Sequence, residues 1–435
     1  MVKHFFKRMA CGVALCLCIG STAWAQSYTP TPENLQARKE FQDNKFGIFL
    51  HWGIYSMPAQ GEWYMNTHNI HRDEYAELAS GFYPSKFNAA EWVSQIKASG
   101  AKYITITSRH HDSFSMFDTK ESDYDIVDAT PFKRDIIKEL AEECHKQGIK
   151  LHFYYSHLDW KREDYPIGST GKGTGRPKGK ENWDTYYQFM NNQLTELLTN
   201  YGPIGAIWFD GVWDHPRSFD WKLEEQYAMI HKLQPSCLIG NNHHRTPYAG
   251  EDFQMFERDL PGENKAGLSG QDISALPLET CETMNNTWGY NIVDQKYKST
   301  KALIQYLVRA AGKNANLLMN IGPQPNGELP AVAVQRLKEM GEWMATYGET
   351  IYGTRGGDVA PHPWGVSTRK DNRLFIHVLD LQDSSLYIPL QAKVKKAIKF
   401  VDGTDISFKQ DKDGVLLKFP KVPNETDYVV ELQLK

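Results

Sequence analysis

Cysteine is scarce in this chain of 435 residues, which contains six. Three of them, Cys11, Cys16 and Cys18, fall in the first 25 residues, and the others are far apart at positions 144, 237 and 281. An odd and widely spaced set does not fit a disulfide framework. No Cys and His spacing matches a zinc site either. We therefore expect no disulfide framework, no metal and no cofactor.

The chain also lacks a basic excess and a phosphate-binding loop. Lys and Arg number 49 against 53 Asp and Glu, for a net charge of −4, so nothing suggests a nucleic-acid partner. No glycine-rich loop follows the first predicted strand, which argues against a nucleotide-binding fold. We expect no membrane span, because the one long apolar stretch, at residues 9–19, is too short for a spanning helix.

That apolar stretch belongs to a predicted signal peptide over residues 1–25. Basic residues at positions 3, 7 and 8 precede it, and the sequence Ala-Trp-Ala at 23–25 fits a cleavage site for small residues. The cysteines within it follow no lipoprotein pattern, so we expect no lipid anchor. The mature protein is then exported, to the periplasm or beyond, and starts near Gln26.

Apolar runs alternate with amphipathic helical segments between residues 45 and 350, which predicts an α/β fold. In 134–148 the apolar residues recur at helical spacing and Gly148 ends the segment; residues 182–200, 221–233, 299–312 and 330–348 are similar. Eight strands with intervening helices favour a (β/α)8-type barrel, regular or irregular, over an open sheet. The predicted strands are 46–51, 102–108, 150–155, 205–210, 237–241, 252–257, 278–283 and 316–321.

A different pattern begins after Gly353. Residues 373–435 contain short alternating runs separated by Asp-Gly and Pro signals, which predict a small antiparallel β-sandwich domain. The expected division is a barrel over residues 26–353 and the β-sandwich over 354–435.

Reactive side chains follow four of the apolar runs at the point where each ends: KFGIFLHWG at 45–53, ITITSRHHD at 104–112, GAIWFDG at 205–211 and DFQMFERD at 252–259. The C-terminal ends of parallel barrel strands meet at one face, where active sites lie. That face would gather imidazoles, carboxylates and tryptophans. Their combination predicts a glycosidase for a neutral sugar.

Glycoside hydrolysis requires two carboxyl groups on either side of the anomeric carbon. Asp210 ends one strand, although an Asp before Gly211 can also simply begin a turn. Glu257 and Glu279 both end predicted strands, and either could be the second carboxyl group.

Histidines can recognise sugar hydroxyls, because the neutral ring offers one donor and one acceptor in fixed geometry. His51, His110 and His111 are the candidates, and each could instead be a core histidine bonded to the backbone. Adjacent residues on a strand face opposite sides, so His110 and His111 reach one pocket only if the strand bends or bulges there. The same argument makes this pair a poor site for a single metal ion.

Five short motifs together resemble the signature stretches of the retaining α-L-fucosidases, glycoside hydrolase family 29, in the order found in that family. They are His51-Trp52-Gly53, Glu62-Trp63-Tyr64, His110-His111-Asp112, Trp208-Phe209-Asp210-Gly211 and Trp288-Gly289-Tyr290. The resemblance extends over roughly residues 30–350. It implies an exo-α-L-fucosidase acting on fucosylated oligosaccharides or glycoconjugates by double displacement.

The resemblance also implies roles for individual residues. Asp210 corresponds to the nucleophile, and the interval from Arg245 favours Glu257 over Glu279 as the acid/base. The implied substrate-binding residues are His51, Glu62, Trp63, His110, His111, Trp208, Arg245 and Trp288.

Three other functions stay open at this point. The chain could be a catalytically silent carbohydrate-binding relative, a retaining glycosidase for another neutral sugar, or a metal-dependent hydrolase at the histidine pair. Nothing in the sequence sets the fucosyl linkage or the oligomeric state.

Overall fold

The computed structural model describes residues 28–435. The predicted signal peptide at 1–25 lies outside the described residues. Within 28–435, no helix combines the length and the apolar character needed to cross a bilayer.

Eight parallel strands form a nearly closed barrel, as predicted. In the sheet the strands follow the order β5-β4-β3-β2-β1-β8-β7-β6. The backbone N–H of Asp252 donates to the carbonyl of Ile239 at 2.7 Å, which joins the two edges. The strands are β1 Phe46–Leu50, β2 Tyr103–Arg109, β3 Lys150–Ser156, β4 Ala206–Asp210, β5 Leu238–Asn241, β6 Gln254–Glu257, β7 Leu278–Thr283 and β8 Ala315–Ile321.

These strands are apolar along their length because both of their faces are covered. All five residues of β1 and all seven of β2 are buried. Parallel strands between a packed interior and an outer layer of helices have this character. Polar side chains concentrate instead at the C-terminal strand ends.

Helices cover the outside of the barrel, and the five predicted segments are confirmed. Asp135, Asn182 and Ser299 cap three of them by accepting a hydrogen bond from a backbone N–H of the first turn. Gly148, at φ 73°, ends the helix that Asp135 caps, as expected. The helices are α1 Pro32–Asn44, α2 Tyr64–Thr67, α3 Arg72–Ala76, α4 Leu78–Gly81, α5 Ala89–Ala98, α6 Ile136–Gln147, α7 Trp183–Asn200, α8 Leu223–Leu233, α9 Thr300–Gly312 and α10 Ala331–Tyr347, with 3₁₀ turns at Ile54–Ser56, Val212–Asp214 and Gly348–Thr350.

The barrel is irregular at two neighbouring connections. The chain from β5 to β6 (242–253) and from β6 to β7 (258–277) contains no helix and runs as loops. Both loops leave the C-terminal ends of their strands and therefore form part of the rim on the active-site side.

Two antiparallel sheets follow the barrel, and they share an apolar core that includes Leu374, Ile376, Leu417 and Val430. One sheet has the order β13-β16-β11-β10-β9 and the other β12-β15-β14. This is the predicted sandwich. Its strands are β9 Arg355–Gly356, β10 Gly365–Lys370, β11 Arg373–Val378, β12 Ser385–Ile388, β13 Val394–Lys399, β14 Ser407–Gln410, β15 Val415–Lys418 and β16 Tyr428–Leu434.

A buried ion pair ties the ends of β2 and β3 to α7. Arg109 and Asp159 are fully buried and in contact, and the Arg109 guanidinium also donates to the carbonyl of Ser156 at 3.0 Å and to the hydroxyl of Tyr186 at 3.2 Å. Asp159 accepts in addition from the hydroxyl of Ser113 at 2.7 Å. The network therefore fixes the segment that carries His110 and His111.

We expect Arg109→Met to lower the free energy of unfolding by about 3–5 kcal/mol, because Asp159 would keep a buried charge without its partner. Arg134→Met is the matched control, since Arg134 and Glu139 form an exposed pair worth about 1 kcal/mol or less. Urea unfolding of the two variants and wild type measures the difference. Equal midpoints for the two variants would contradict the assigned role of Arg109.

Candidate active site

A cavity of about 330 Å³ opens at the C-terminal end of the barrel strands. Its walls combine carboxylates, imidazoles and aromatic rings, all from the barrel strands or from the loops that follow them. The lining residues are Phe49, His51, Glu62, Trp63, His110, His111, Tyr154, Trp208, Asp210, Trp213, Asn242, His244, Glu257, Leu268 and Trp288.

Asp210 is the last residue of β4 and is held by hydrogen bonds on both oxygens. Oδ1 accepts from the backbone N–H of Gly211 and from the indole N–H of Trp213, each at 2.8 Å. Oδ2 accepts from the hydroxyl of Tyr154 at 2.9 Å. The carboxylate is thus fixed in orientation, and Oδ2 has the smaller number of partners.

Glu257 is the last residue of β6 and faces the same cavity. Its Oε2 accepts from the amide of Asn242 at 2.8 Å and is 3.2 Å from Nε2 of His244. Both partners come from the helix-free loop after β5.

Asn242 contacts both carboxyl groups, since its Nδ2 is also 3.5 Å from Oδ1 of Asp210. Together these two contacts limit the separation of Asp210 Oδ1 and Glu257 Oε2 to about 6.3 Å at most. Retaining glycosidases keep their two carboxyl groups about 5–5.5 Å apart, and inverting ones leave about 6.5–9.5 Å for a water. The geometry therefore favours direct attack by a carboxylate.

The two carboxyl groups influence each other's protonation. Burial, and next the negative charge of Glu257, raise the pKa of Asp210 to about 6. Burial also acts to raise the pKa of Glu257, but hydrogen bonds from His244 and Asn242 outweigh it and the pKa is lowered. The pair consequently holds a single proton over a range of mildly acidic pH.

The three predicted histidines all line the cavity. The β2–β3 register shifts between Thr107 and Arg109, and the strand ends at Arg109, so His110 and His111 leave it without alternating. Their rings lie 4.1 Å apart between centroids. The bend that the sequence argument required is present.

Hydrogen bonds fix the tautomers of two of these histidines. Asn320 donates its amide N–H to the carbonyl of Trp288 at 2.8 Å, which leaves its oxygen to accept from Nδ1 of His51 at 2.7 Å. Burial lowers the pKa of His51 to about 3, so the ring is neutral. Its Nε2 is then an acceptor for a sugar hydroxyl.

His111 is held in the same way. The Ser156 hydroxyl donates to the carbonyl of Leu158 at 2.6 Å and accepts from Nδ1 of His111 at 2.7 Å. Burial holds the pKa of His111 well below its usual range. The unprotonated Nε2 is 3.6 Å from Oδ2 of Asp210, so the two groups face the same part of the cavity.

Aromatic rings enclose the remaining sides. Trp63 stacks on Trp213 with centroids 5.8 Å apart, and Trp208 stacks on Tyr154 at 5.5 Å. Trp288 faces His51 at 5.3 Å. These surfaces suit the apolar face of a pyranose and a methyl substituent.

Glu62 completes the lining near Trp288. Its carboxylate accepts from the backbone N–H of Gly289 at 2.7 Å, and burial raises its pKa. It can accept hydrogen bonds from sugar hydroxyls when ionised.

Glu279, the alternative second carboxyl group, does not line the cavity. It lies behind Trp208, where it accepts from the Trp208 indole N–H at 3.0 Å and from the Tyr103 hydroxyl at 2.6 Å. Burial raises its pKa to about 7. In this position the carboxyl group supports Trp208.

Arg245 also lies outside the cavity. His244, at φ 58°, turns the chain so that His244 itself reaches Glu257, while the Arg245 guanidinium donates to the Tyr248 hydroxyl at 2.7 Å. The other predicted residues all line the cavity. Arg245 as a ligand for fucose stays a prediction.

Sequence reasoning missed six lining residues: Phe49, Tyr154, Trp213, Asn242, His244 and Leu268. Phe49 and Tyr154 lie inside β1 and β3, before the strand ends on which the prediction of the site was based. Trp213 follows Asp210 by three positions, and that proximity was the available signal. Within residues 28–435, no group of three or more His, Cys, Asp or Glu side chains is placed to hold a metal ion.

Two fixed carboxyl groups in an aromatic, histidine-lined cavity at the mouth of a parallel barrel define a glycoside hydrolase. Comparison with known proteins identifies its family. The model of the family described as alpha-L-fucosidase matches residues 16–349. The human plasma alpha-L-fucosidase is 30% identical over 393 residues, which cover 81% of this chain and 78% of the human protein.

Two solved structures have the same fold as this chain over most of its length. Alpha-L-fucosidase isoenzyme 1 from Paenibacillus thiaminolyticus superposes with a TM-score of 0.81 at 33% identity, covering 93% of this chain and all of the other. A trapped covalent intermediate of a family 29 alpha-L-fucosidase from Bacteroides thetaiotaomicron, with 2-fluoro-fucosyl fluoride, matches with a TM-score of 0.81 at 27% identity, covering 95% and 98%. The chain belongs to the alpha-L-fucosidases, glycoside hydrolase family 29.

Proposed function

We propose that this protein is an exported, retaining exo-α-L-fucosidase that releases terminal α-linked fucose from glycans through a covalent fucosyl-enzyme. The observation that carries the proposal is the contact of Asn242 with both Asp210 and Glu257, which limits the separation of the two facing oxygens to about 6.3 Å, below the range of inverting enzymes. The trapped covalent intermediate of the Bacteroides relative supports the same course.

In the first step the proton of the pair lies on Glu257, Oδ2 of Asp210 attacks the anomeric carbon, and the bond from that carbon to the glycosidic oxygen breaks as Glu257 gives the oxygen its proton. The raised pKa of Asp210 and the lowered pKa of Glu257 favour the opposite placement of this proton in the free enzyme, so the reactive form is the minor one there. In the second step, Glu257 takes a proton from water, which attacks the same carbon and frees Asp210. Nε2 of His51 and of His111 accept from sugar hydroxyls, and His110 and Glu62 add further polar partners. Trp63, Trp208 and Trp288 cover the apolar parts of the sugar.

Hydrolysis of 2-chloro-4-nitrophenyl α-L-fucoside, followed by proton NMR, tests the proposal. We expect α-L-fucose as the first product, before mutarotation. β-L-Fucose as the first product, or no hydrolysis, would contradict it.

Export is supported by the leader pattern at 1–25 and by the plasma origin in the human relative's name. N-terminal sequencing of the protein from the culture or periplasm tests it.

We expect kcat/KM for a natural glycan to have a bell-shaped pH profile whose alkaline limb lies near pH 6. The active form needs one ionised and one protonated carboxyl group. As the pH rises through about 6 the pair loses its last proton and no acid is left. As the pH falls below the usual glutamate range the pair gains a second proton and the nucleophile is lost. Initial rates measured across this range check the shape, and a kcat/KM that still rises well above pH 7 would contradict it.

We also propose that residues 26–353 form the catalytic unit and that 354–435 support it structurally. In support, the amide of Gln305 in α9 donates to the carbonyls of Leu379 and Thr426 at 3.0 and 2.9 Å, on the flank of the barrel away from the cavity. Asp380→Ala, an exposed change in this region, should leave turnover unchanged. A large loss would show that the region acts in catalysis.

A further inference from the structure

A second cavity, of about 670 Å³, adjoins the first. His244 and Leu268 line both, so the two spaces share a wall. The second cavity is bordered by the helix-free loops after β5 and β6. It opens on the side of Glu257, since His244 contacts Oε2 of that residue. A group attached to the glycosidic oxygen faces the carboxyl group that protonates it, so this cavity lies where the leaving group would be.

Two arginines in this cavity have no acidic partner. Arg217 and Arg245 form no ion pair with any residue in 28–435, and Arg217 makes no side-chain hydrogen bond there either. Most other arginines of the described chain are paired, as Arg38 is with Asp252 at 2.6 Å. One guanidinium nitrogen of Arg245 donates to the hydroxyl of Tyr248 at 2.7 Å, which leaves its other N–H groups free.

The two arginines lie on a common ridge. Arg217, Arg245 and Tyr248 line both the second cavity and the neighbouring hollow beside Trp221, so they separate the two. Tyr248 is 38% exposed and its ring packs against His243 at 4.6 Å. Asp272 also lines the second cavity and is the acidic residue in its wall. Asp220 and Glu224 line the hollow on the other side of the ridge, and within 28–435 none of these three acids forms an ion pair with Arg217 or Arg245.

We propose that the second cavity binds the leaving-group part of the glycan and prefers one that carries an anionic group, a sulfate ester or a carboxylate, held by Arg217 and Arg245. A guanidinium presents paired N–H donors that match the oxygens of either group. This inference rests on the proposed fucosidase activity and specifies its substrate class.

The test compares three substrates with the same fucosyl linkage, the one that wild type cleaves fastest. They are a neutral fucosylated N-acetyllactosamine, its 6-O-sulfated form and its sialylated form. The readout is the ratio of kcat/KM for each anionic substrate to that for the neutral one, taken within each variant, so that a general loss of activity cancels. 2-Chloro-4-nitrophenyl α-L-fucoside reports the fucosidase activity itself.

For wild type we expect a ratio of about five or more for at least one anionic substrate, decreasing in 0.5 M NaCl. The ratio should approach one in Arg217→Gln and in the double variant Arg217→Gln/Arg245→Gln. Lys265→Gln is the matched control, because Lys265 lies on the loop after β6, pairs with Glu263 and does not line the cavity. Which anionic substrate is preferred distinguishes sulfate from carboxylate.

Two outcomes would overturn the inference while the proposed function stands: wild-type ratios at or below one for both anionic substrates, or a preference that survives in the double variant. Failure to hydrolyse the aryl fucoside would instead overturn the proposed function, and the inference with it.

Discussion

Asp210→Gly should reduce turnover of 2-chloro-4-nitrophenyl α-L-fucoside by about 10⁴-fold or more, the largest effect that we expect from a single substitution. The variant lacks the oxygen that forms the bond to the anomeric carbon, and no other carboxylate in the cavity can replace it on that face. Because the side chain lies at a strand end, its removal should leave the barrel folded. Circular dichroism and the urea midpoint check the fold.

Azide makes this test specific. A small anion can enter the space left by Asp210 and attack an α-fucoside from the opposite face, so the Asp210→Gly variant should form β-fucosyl azide. Asp210→Asn is the matched control, because it fills the space and should show no rescue. A variant with near-normal turnover, or azide rescue that is equal in both variants, would eliminate Asp210 as the nucleophile.

Glu257→Gln should slow the cleavage of natural fucosylated glycans by about 10²–10⁴-fold and have far less effect on kcat/KM for the activated aryl fucoside. Proton donation is needed mainly when the leaving group is poor. With the aryl substrate the first step still proceeds. The fucosyl-enzyme then breaks down slowly, because no base takes the proton from water, and kcat falls. Azide should now attack the covalent intermediate and give α-fucosyl azide. With Glu257 replaced, loss of its proton no longer limits the residual rate on natural glycans, so the alkaline limb near pH 6 should disappear from their pH profile.

Glu279→Gln provides the comparison, because Glu279 is a buried carboxyl group near the start of β7 that lies behind Trp208. We expect this variant to lower kcat/KM for both substrates by a similar factor, because the substitution changes the support of Trp208 but does not remove a proton donor. If the dependence on the leaving group appeared in Glu279→Gln and was absent in Glu257→Gln, the acid/base would be Glu279.

Strand positions were predictable because a parallel barrel buries both faces of each strand, which leaves continuous apolar runs in the sequence. The ends of these runs carry Asp210, Glu257 and the three histidines, which all line the cavity. Helix α1 was missed because only Asn34 and Phe41 of its residues are buried, so its apolar period is weak.

Several lining residues that the sequence did not predict lie in loops, where the path of the chain decides which side chains reach the cavity. His244 contacts Glu257 at a point where the chain turns into a left-handed conformation, and the next residue, Arg245, lies outside the cavity. A residue count cannot reveal such a turn. Leu268 enters the cavity from a loop of about twenty residues, and no periodic signal fixes the position of a loop residue.

The two helix-free connections have a consequence for how this enzyme could diversify. Most of the groups around the sugar are anchored on barrel strands or directly after them, whereas the second cavity is built largely from the loops 242–253 and 258–277. Insertions and substitutions in surface loops perturb stability much less than changes in a packed barrel. New glycan preferences can therefore arise by exchange of these two loops around an unchanged catalytic centre, and the same loops are the natural targets for engineering transfer to new acceptors.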